Sequence, residues 1–94
     1  MTIRISKDAA EDLASATRYI AERNPRAATD LVAEVLDLVA RLDEGIFEGP
    51  EQQLRGGMLV RSWPLPPYRI YYRRRASVLE VMRVYHQARR PITR

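Results

Sequence analysis

Arginine and tyrosine recur along two stretches in the second half of the chain, 68–74 and 78–86. A guanidinium group offers a planar, bidentate fork to phosphates and carboxylates, and aromatic rings stack on nucleic-acid bases. These stretches therefore predict a surface that binds a nucleic acid or an acidic protein, unless the arginine stems merely cover one face of a small sheet. The residues expected on this surface are Arg69, Tyr71, Arg73, Arg83, Tyr85, His86, Arg89 and Arg90.

The charge of the chain is divided between its two halves. Residues 1–50 carry six basic and ten acidic side chains, a net −4, whereas residues 51–94 carry ten arginines and two acidic side chains, a net +8. Such a directional field favours a nucleic acid, a nucleic-acid-bound target or an acidic partner. Because 94 residues suffice for one small core, we expect a single domain spanning 1–94.

The sequence lacks the residues that a zinc site, a phosphate-binding loop or a serine nucleophile requires. With no cysteine and one histidine, a zinc site would have too few good ligands, and no glycine-rich phosphate-binding motif is present. No serine stands in the sequence context of a nucleophile. We therefore predict no cofactor, no metal and no catalytic residue. His86 ends a predicted strand, where a structural role, a contact with a target and acid–base work all stay open.

The elements that must position these residues follow from the spacing of apolar side chains. Recurrence every three or four residues predicts two amphipathic helices, and alternation predicts four strands. Ser6 and Asn24 are suitable N-caps, Gly45 can end the second helix in the left-handed conformation, and Pro64 should stop the second strand. The predicted segments are strand 2–5, helices 7–23 and 25–43, a loop at 48–53, and strands 58–63, 68–74 and 78–86.

The order β-α-α-β-β-β, with short links among the last three strands, predicts an α+β fold. In this fold the helical hairpin packs on one face of a largely antiparallel sheet, and the other face is left uncovered.

The side chains shown on that uncovered face depend on one turn, because a shift of one residue inverts a strand. A three-residue turn at 75–77 places Arg83 opposite Arg69 and leaves Met82 to the helices, whereas a two-residue turn places Arg83 beside Ile70. We predict the three-residue turn, since burying an unpaired arginine is costly.

Several short motifs follow one another along nearly the whole chain. They are the Asp12-Leu13 helix, Arg23-Asn24-Pro25-x-Ala27-Ala28, Leu54-Arg55, Tyr68-Arg69-Ile70-x-Tyr72-Arg73 and Val81-x-Arg83-Val84-x-His86-x-x-Arg89. In order and spacing they resemble the ParE branch of the ParE/RelE superfamily, the toxin halves of bacterial toxin–antitoxin pairs. The resemblance implies a helical hairpin on an antiparallel sheet, the fold expected from the elements.

Members of that superfamily have one of two activities, gyrase inhibition or mRNA cleavage, and the resemblance implies gyrase inhibition for this chain. ParE-like members inhibit DNA gyrase by binding, without known hydrolytic chemistry. RelE-like members cut messenger RNA on the ribosome with basic residues and a late tyrosine or histidine. Here Val60 and Ser62 stand near the positions of two RelE lysines, and the late tyrosine is absent. The alternative is a RelE-like ribosome-dependent mRNA endonuclease that uses Arg69 and His86.

The resemblance also implies a ParD-like antitoxin as partner, in a hetero-oligomer whose acidic, amphipathic antitoxin segment lies along the hairpin and the sheet. The apolar stripe of the second helix is wider than a two-helix contact needs, which favours this surface. We expect no sequence-specific DNA binding by this chain, no membrane contact and a cytoplasmic location, because no apolar run is long enough to span a bilayer. The residues expected to contact the antitoxin are Leu31, Val35, Leu38, Leu42, Arg61 and Trp63.

Overall fold

The computed structural model describes residues 2–88, so the predictions made for Arg89 and Arg90 lie outside the described residues. Two helices and five strands follow one another along this part of the chain. They are β1 (Thr2–Ile5), α1 (Lys7–Ala21), α2 (Pro25–Glu44), β2 (Glu51–Gln53), β3 (Leu59–Leu65), β4 (Tyr68–Arg75) and β5 (Val78–His86).

Both helices begin at the residues that their N-caps predict, whereas α1 ends at Ala21, two residues before the predicted end, and α2 ends at Glu44, one residue after it. The side chain of Ser6 accepts a hydrogen bond from the Ala9 N–H at 3.0 Å, and that of Asn24 accepts one from the Ala27 N–H at 3.2 Å. Gly45 closes α2 with φ of 77°, the left-handed conformation that glycine adopts without steric cost. The helical hairpin is confirmed.

The five strands form one mixed sheet in the order β1-β5-β4-β3-β2. β1 pairs with β5 in parallel, and the remaining neighbours are antiparallel. The α+β fold class, a helical hairpin on a largely antiparallel sheet, is confirmed. The assignment of 48–53 to a loop is wrong in part, because Glu51–Gln53 pair with Leu59–Arg61 as an additional edge strand. Three residues are too few for an alternation of apolar and polar side chains to be recognised.

The prediction that Pro64 ends the second strand is also wrong. β3 continues through Pro64 to Leu65, paired with β4. The Ser62 N–H donates to the Pro50 carbonyl at 3.2 Å, on the β2 side of β3. Because strand residues alternate, the nitrogen of Pro64 also faces that side, beyond Glu51, the first residue of the antiparallel β2. Proline is tolerated there since no ladder hydrogen bond is lost.

The β4–β5 hairpin differs from the predicted register. Its turn has two residues, with Arg75 paired to Val78, so the three-residue turn is wrong. A β-bulge then inserts Met82 between the pairs Tyr72–Val81 and Tyr71–Arg83. The extra residue shifts the following alternation by one, so Arg83 stays out of the core despite the short turn.

The same bulge changes which β5 residues face the helices and which residue lies opposite Arg83. Val81 and Val84 are buried, whereas Met82, which was predicted to face the helices, is only half-buried. Arg83 is opposite Tyr71, and Arg69 is opposite Tyr85.

The hydrophobic core lies between the two helices and one face of the sheet. Both helices and the two central strands contribute side chains to it, as the predicted two-layer arrangement requires. Its members are Ala9, Ala16, Leu31, Val35, Leu38, Val39, Leu42, Tyr68, Ile70, Tyr72, Leu79, Val81 and Val84.

A polar cluster fastens the segment that follows α2 to this core. The hydroxyl of the fully buried Tyr72 accepts from the Gly49 N–H at 2.8 Å and donates to Glu48 Oε1 at 2.6 Å, and Arg74 Nε donates to Glu48 Oε2 at 3.1 Å. Burial and the hydrogen bond to Glu48 raise the pKa of Tyr72 to about 12. Burial opposes ionisation of Glu48, but hydrogen bonds from Tyr72 and Arg74 outweigh it and lower the pKa of that carboxyl.

Candidate functional site on the outer face of the sheet

The face of the sheet that turns away from α1 and α2, here called the outer face, carries most of the predicted binding residues. Strand alternation fixes its members, because the neighbours of core residues point to the opposite side. Five of the eight residues predicted to bind a target meet there. They are Arg69, Tyr71, Arg73, Arg83 and Tyr85.

Arg69 is oriented by neutral groups. Its Nη1 donates to the hydroxyl of Ser62 at 2.8 Å, and that hydroxyl donates to Gln52 Oε1. Ser62 is fully buried, so its hydroxyl is fixed in place by these contacts. The two partners carry no charge, and the guanidinium of Arg69 is therefore held in position while its positive charge stays available to an anionic group.

Arg73 lies in a row of charges that crosses three strands. Glu80 is paired in register with Arg73 on β4 and with Arg4 on β1. Both Nε and Nη2 of Arg73 lie 2.9 Å from Glu80 Oε1. One carboxylate thus stands between two arginines, which leaves an excess of positive charge on this part of the outer face.

Arg83 reaches around the edge of the sheet to Asp12 of α1. Its Nε and Nη2 donate to the two carboxylate oxygens at 2.6 and 2.9 Å, and Asp12 Oδ2 also accepts from the Val84 N–H at 3.0 Å. The bidentate hydrogen bonds to Asp12 raise the pKa of Arg83. The guanidinium carbon lies 5.4 Å from the centre of the Tyr85 ring. This arginine therefore fastens α1 to β5 as well as facing outward.

Tyr71 is only 7% exposed although it lies on the outer face. It stands between Ser62 and Arg83 in one cross-strand row, with Arg69 and Arg73 two residues away on its own strand. Burial raises the pKa of its hydroxyl, against the opposing charge of Arg69. Its ring supports the surrounding arginines more than it offers a free stacking surface.

His86 is not part of this surface, contrary to the prediction. It is paired with the core residue Tyr68, and the two rings meet edge to face at 5.2 Å between centroids. Since Tyr85, the neighbour of His86, is opposite Arg69, alternation puts Arg69 and His86 on opposite faces of the sheet. The structure does not bring together the pair that the endonuclease alternative requires. His86 instead lines a cavity of about 550 Å³ beside α1, with Nδ1 accepting from the Ala88 N–H at 3.1 Å.

The predicted antitoxin surface on α2 is wrong for four residues. Leu31, Val35, Leu38 and Leu42 are all at most 8% exposed, because the helix-facing side of the sheet takes up the apolar stripe that a two-helix contact would leave open. The other two residues lie on β3 and are partly exposed. They are Arg61, whose Nη1 donates to the Gly49 carbonyl at 2.8 Å, and Trp63, whose ring lies 4.3 Å from that of Phe47.

Sequence analysis missed the residues that hold the arginines in place. Asp12 pairs with Arg83, which is far away in the chain, and Glu80 pairs with Arg73 across the β4–β5 hairpin, where the register decides the partner. Ser62 carries a usable signal, because a small polar residue next to Trp63 in an alternating strand belongs on the face opposite the tryptophan. Within residues 2–88, no three histidine, cysteine, aspartate or glutamate side chains form a group that could bind a metal. No helix in this part of the chain is long and apolar enough to cross a membrane.

Comparison with known proteins identifies the family. The family model described as the ParE toxin of the type II toxin–antitoxin system parDE matches residues 3–91. The chain belongs to the ParE toxin family. A solved chain titled "Chromosomal ParDE TA system from P. aeruginosa" superposes on this ParE toxin with a TM-score of 0.75 at 20% identity. The alignment covers 92% of this chain and 95% of that one, which shows the same fold. Among curated proteins none gives a significant match.

Proposed function

We propose that this ParE toxin inhibits DNA gyrase by binding to it through the outer face of the sheet, without breaking covalent bonds itself. The toxic action is a property of the bound complex in this proposal, and the arginines act as a rigid recognition surface. A cognate ParD-like antitoxin neutralises the toxin in a hetero-oligomer. The location that fits this target is the cytoplasm.

The observation that carries the proposal is the arrangement around Arg69. Ser62 and Gln52 hold its guanidinium with neutral partners, so the group keeps its charge and has lost much of its freedom before a partner arrives. Preorganisation of this kind favours binding, since less side-chain entropy is lost in the complex. The endonuclease alternative pairs Arg69 with His86 as the acid–base group, and His86 lies on the other face of the sheet.

The decisive experiment compares supercoiling by purified gyrase with the integrity of mRNA on translating ribosomes. We expect the wild-type chain to block supercoiling and to leave the mRNA uncut. Arg69→Ala should weaken the inhibition by about tenfold or more, in line with the loss of a hydrogen bond to a charged group. Arg26→Ala, an exposed arginine of α2, is the matched control and should inhibit as the wild type does.

Two outcomes would contradict the proposal. If the chain cuts mRNA on ribosomes and leaves gyrase active, it is a RelE-like endonuclease despite the separation of Arg69 from His86. If Arg69→Ala and Arg26→Ala inhibit gyrase equally well, the outer face is not the surface that contacts the enzyme.

A further inference from the structure

We propose that the outer face binds the phosphate backbone of the duplex DNA that gyrase holds. The inference rests on the proposed inhibition of gyrase and names the chemical group that the outer face contacts there. It assigns to the toxin a contact with the DNA of the enzyme–DNA complex in place of a contact with a protein surface of gyrase. Recognition of this kind depends on charge and is independent of the base sequence.

Positive charge is in clear excess on the outer face. Arg75 lies two residues after Arg73 on β4 and is exposed, and Arg4 of β1 is paired with Glu80, so alternation places both arginines on this face. Asp12 reaches Arg83 from α1, and five positive charges therefore meet two negative ones. The arginines of the outer face are Arg4, Arg69, Arg73, Arg75 and Arg83.

Three of these arginines form a row along β4. Arg69, Arg73 and Arg75 are separated by even numbers of residues on one strand, so their side chains point to the same side of the sheet. Six strand residues extend over about 20 Å, which is the axial length of about six base pairs. Each strand of a duplex carries one phosphate in about 3.4 Å of that length. The row is therefore long enough to contact several phosphates of one duplex.

The apolar and aromatic side chains of the outer face are covered. Val60, which shares this face with Ser62, is 2% exposed, and Tyr71 is 7% exposed. Side chains such as Tyr19 and Leu36, which are more than half exposed, lie on the helices. Protein partners bind mainly through aromatic and aliphatic anchors in the centre of an interface. Charge without such anchors favours a phosphate backbone over a protein surface.

The covered aromatic rings also favour a duplex over a single strand. Proteins that bind single strands stack successive bases on open aromatic rings. Here Tyr71 is buried, and the guanidinium of Arg83 lies over the ring of Tyr85. A duplex keeps its bases stacked on one another and presents its phosphates, for which Arg69, oriented by Ser62, offers a fixed fork.

Arg75→Ala and Arg26→Ala form a matched pair that tests this contact. Both arginines are exposed and both changes remove one positive charge, but Arg26 lies on α2. The probe is a labelled duplex of about 20 base pairs, in two unrelated sequences, titrated by fluorescence anisotropy at about 50 to 200 mM salt. For the wild type we expect equal binding of both sequences and a slope of about −3 in log K against log salt, since each phosphate contact contributes about −0.9.

The two variants should differ in that slope. Arg75→Ala should reduce its magnitude by about 0.9, the share of one phosphate, whereas Arg26→Ala should keep the wild-type slope. Unfolding midpoints in urea should equal that of the wild type for both variants, because neither side chain is buried. In a second measurement, the wild-type chain should bind gyrase loaded with linear DNA about tenfold or more tightly than gyrase without DNA.

Three results would overturn the inference while leaving the proposed inhibition intact. They are equal slopes for Arg75→Ala and Arg26→Ala, equal affinity for gyrase with and without DNA, and tighter binding to a single-stranded RNA of the same length than to the duplex. Equal affinity for the two forms of gyrase would make a protein surface of the enzyme the partner. If the wild-type chain does not inhibit supercoiling, the proposed function fails, and the contact with DNA held by gyrase fails with it.

Discussion

The two faces of the sheet are stabilised in different ways. The helix-facing side is filled by interlocking apolar side chains from both helices and the central strands, as in the contacts of Leu42 and Ile70. The outer face instead carries arginines fixed by hydrogen bonds, to Asp12, to Glu80 and to Ser62. Changes on the first face should act mainly on folding, whereas changes on the second should act mainly on recognition. On the proposed function, the polar network binds a partner with groups that are already oriented before binding.

The largest effect is expected in the core. Leu42→Ala removes a fully buried side chain and should lower the free energy of unfolding by about 2–5 kcal/mol in urea titrations. Leu36→Ala, on the same helix but 54% exposed, should change it by no more than about 0.5 kcal/mol. If Leu42→Ala were as stable as the wild type and lost affinity for the antitoxin instead, the stripe of α2 would be a partner surface after all.

The contact between Arg83 and Asp12 connects the outer face of the sheet to α1. Changing it tests whether an outer-face residue also contributes to the stability of the fold. Asp12→Ala leaves the guanidinium and the Val84 N–H without their acceptor, and should lower the free energy of unfolding by about 1.5–3 kcal/mol. A double-mutant cycle with Arg83→Met should give a coupling energy of about 1 kcal/mol or more, reduced by added salt. A coupling energy near zero would make Arg83 a free surface arginine.

The buried hydroxyl of Tyr72 predicts a dependence of stability on alkaline pH. Its pKa is about 12 in the folded chain against 10.0 for an ordinary tyrosine. The folded state keeps this proton more tightly than the unfolded state does. The contribution of the Tyr72 hydroxyl to the free energy of unfolding is therefore complete below pH 10 and is lost as the pH rises towards 12. The stability difference between the wild type and Tyr72→Phe should therefore shrink by about 1–2 kcal/mol across that interval.

A difference that stays constant from pH 10 to 12 would contradict the assignment of this shift to Tyr72. The four remaining tyrosines are common to both proteins, so their titration cancels in the comparison.

The smallest effect is expected from Ser62→Ala, which tests whether the orientation of Arg69 on the outer face matters for binding. This change keeps Arg69 and its charge but removes the hydroxyl that orients it. On the proposed function, the concentration that half-inhibits gyrase should rise by about two- to tenfold, less than for Arg69→Ala, because one neutral hydrogen bond is lost. Ser15→Ala, at an exposed position of α1, is the control. If Ser62→Ala inhibited as well as the wild type, orientation of Arg69 would not matter to binding.

Much of the fold could be predicted from local signals in the sequence. Ser6, Asn24 and Gly45 mark helix ends through hydrogen bonds within a few residues, and the apolar spacing of α2 correctly indicated a helix with a wide buried stripe. The bounds of β5 agree with the structure, although the turn before it and the alternation within it differ from the prediction. The family resemblance, which rests on the order of such motifs, is confirmed by the match over residues 3–91.

The candidate site could be predicted only in part. The sequence identified the arginines and tyrosines of the outer face but included His86, which alternation from Tyr85 already puts on the helix-facing side. The β-bulge at Met82 has no signature in the alternation itself, and it decides that Arg83 lies opposite Tyr71 instead of Arg69. It also assigned the α2 stripe to a partner, because the area that the sheet would cover depends on how the layers pack.

The sequence by itself determined the helical hairpin, four of the five strands and the positive charge of the second half, since each depends on neighbours within a few residues. The tertiary structure alone decided that Asp12 holds Arg83 and that Ser62 orients Arg69. It also decided that β1 lies at one end of the sheet order. Asp12 and Arg83 are far apart in the chain, whereas Ser62 and Arg69 lie on adjacent strands. In both cases only the register and layering of the folded sheet bring the atoms within hydrogen-bonding distance.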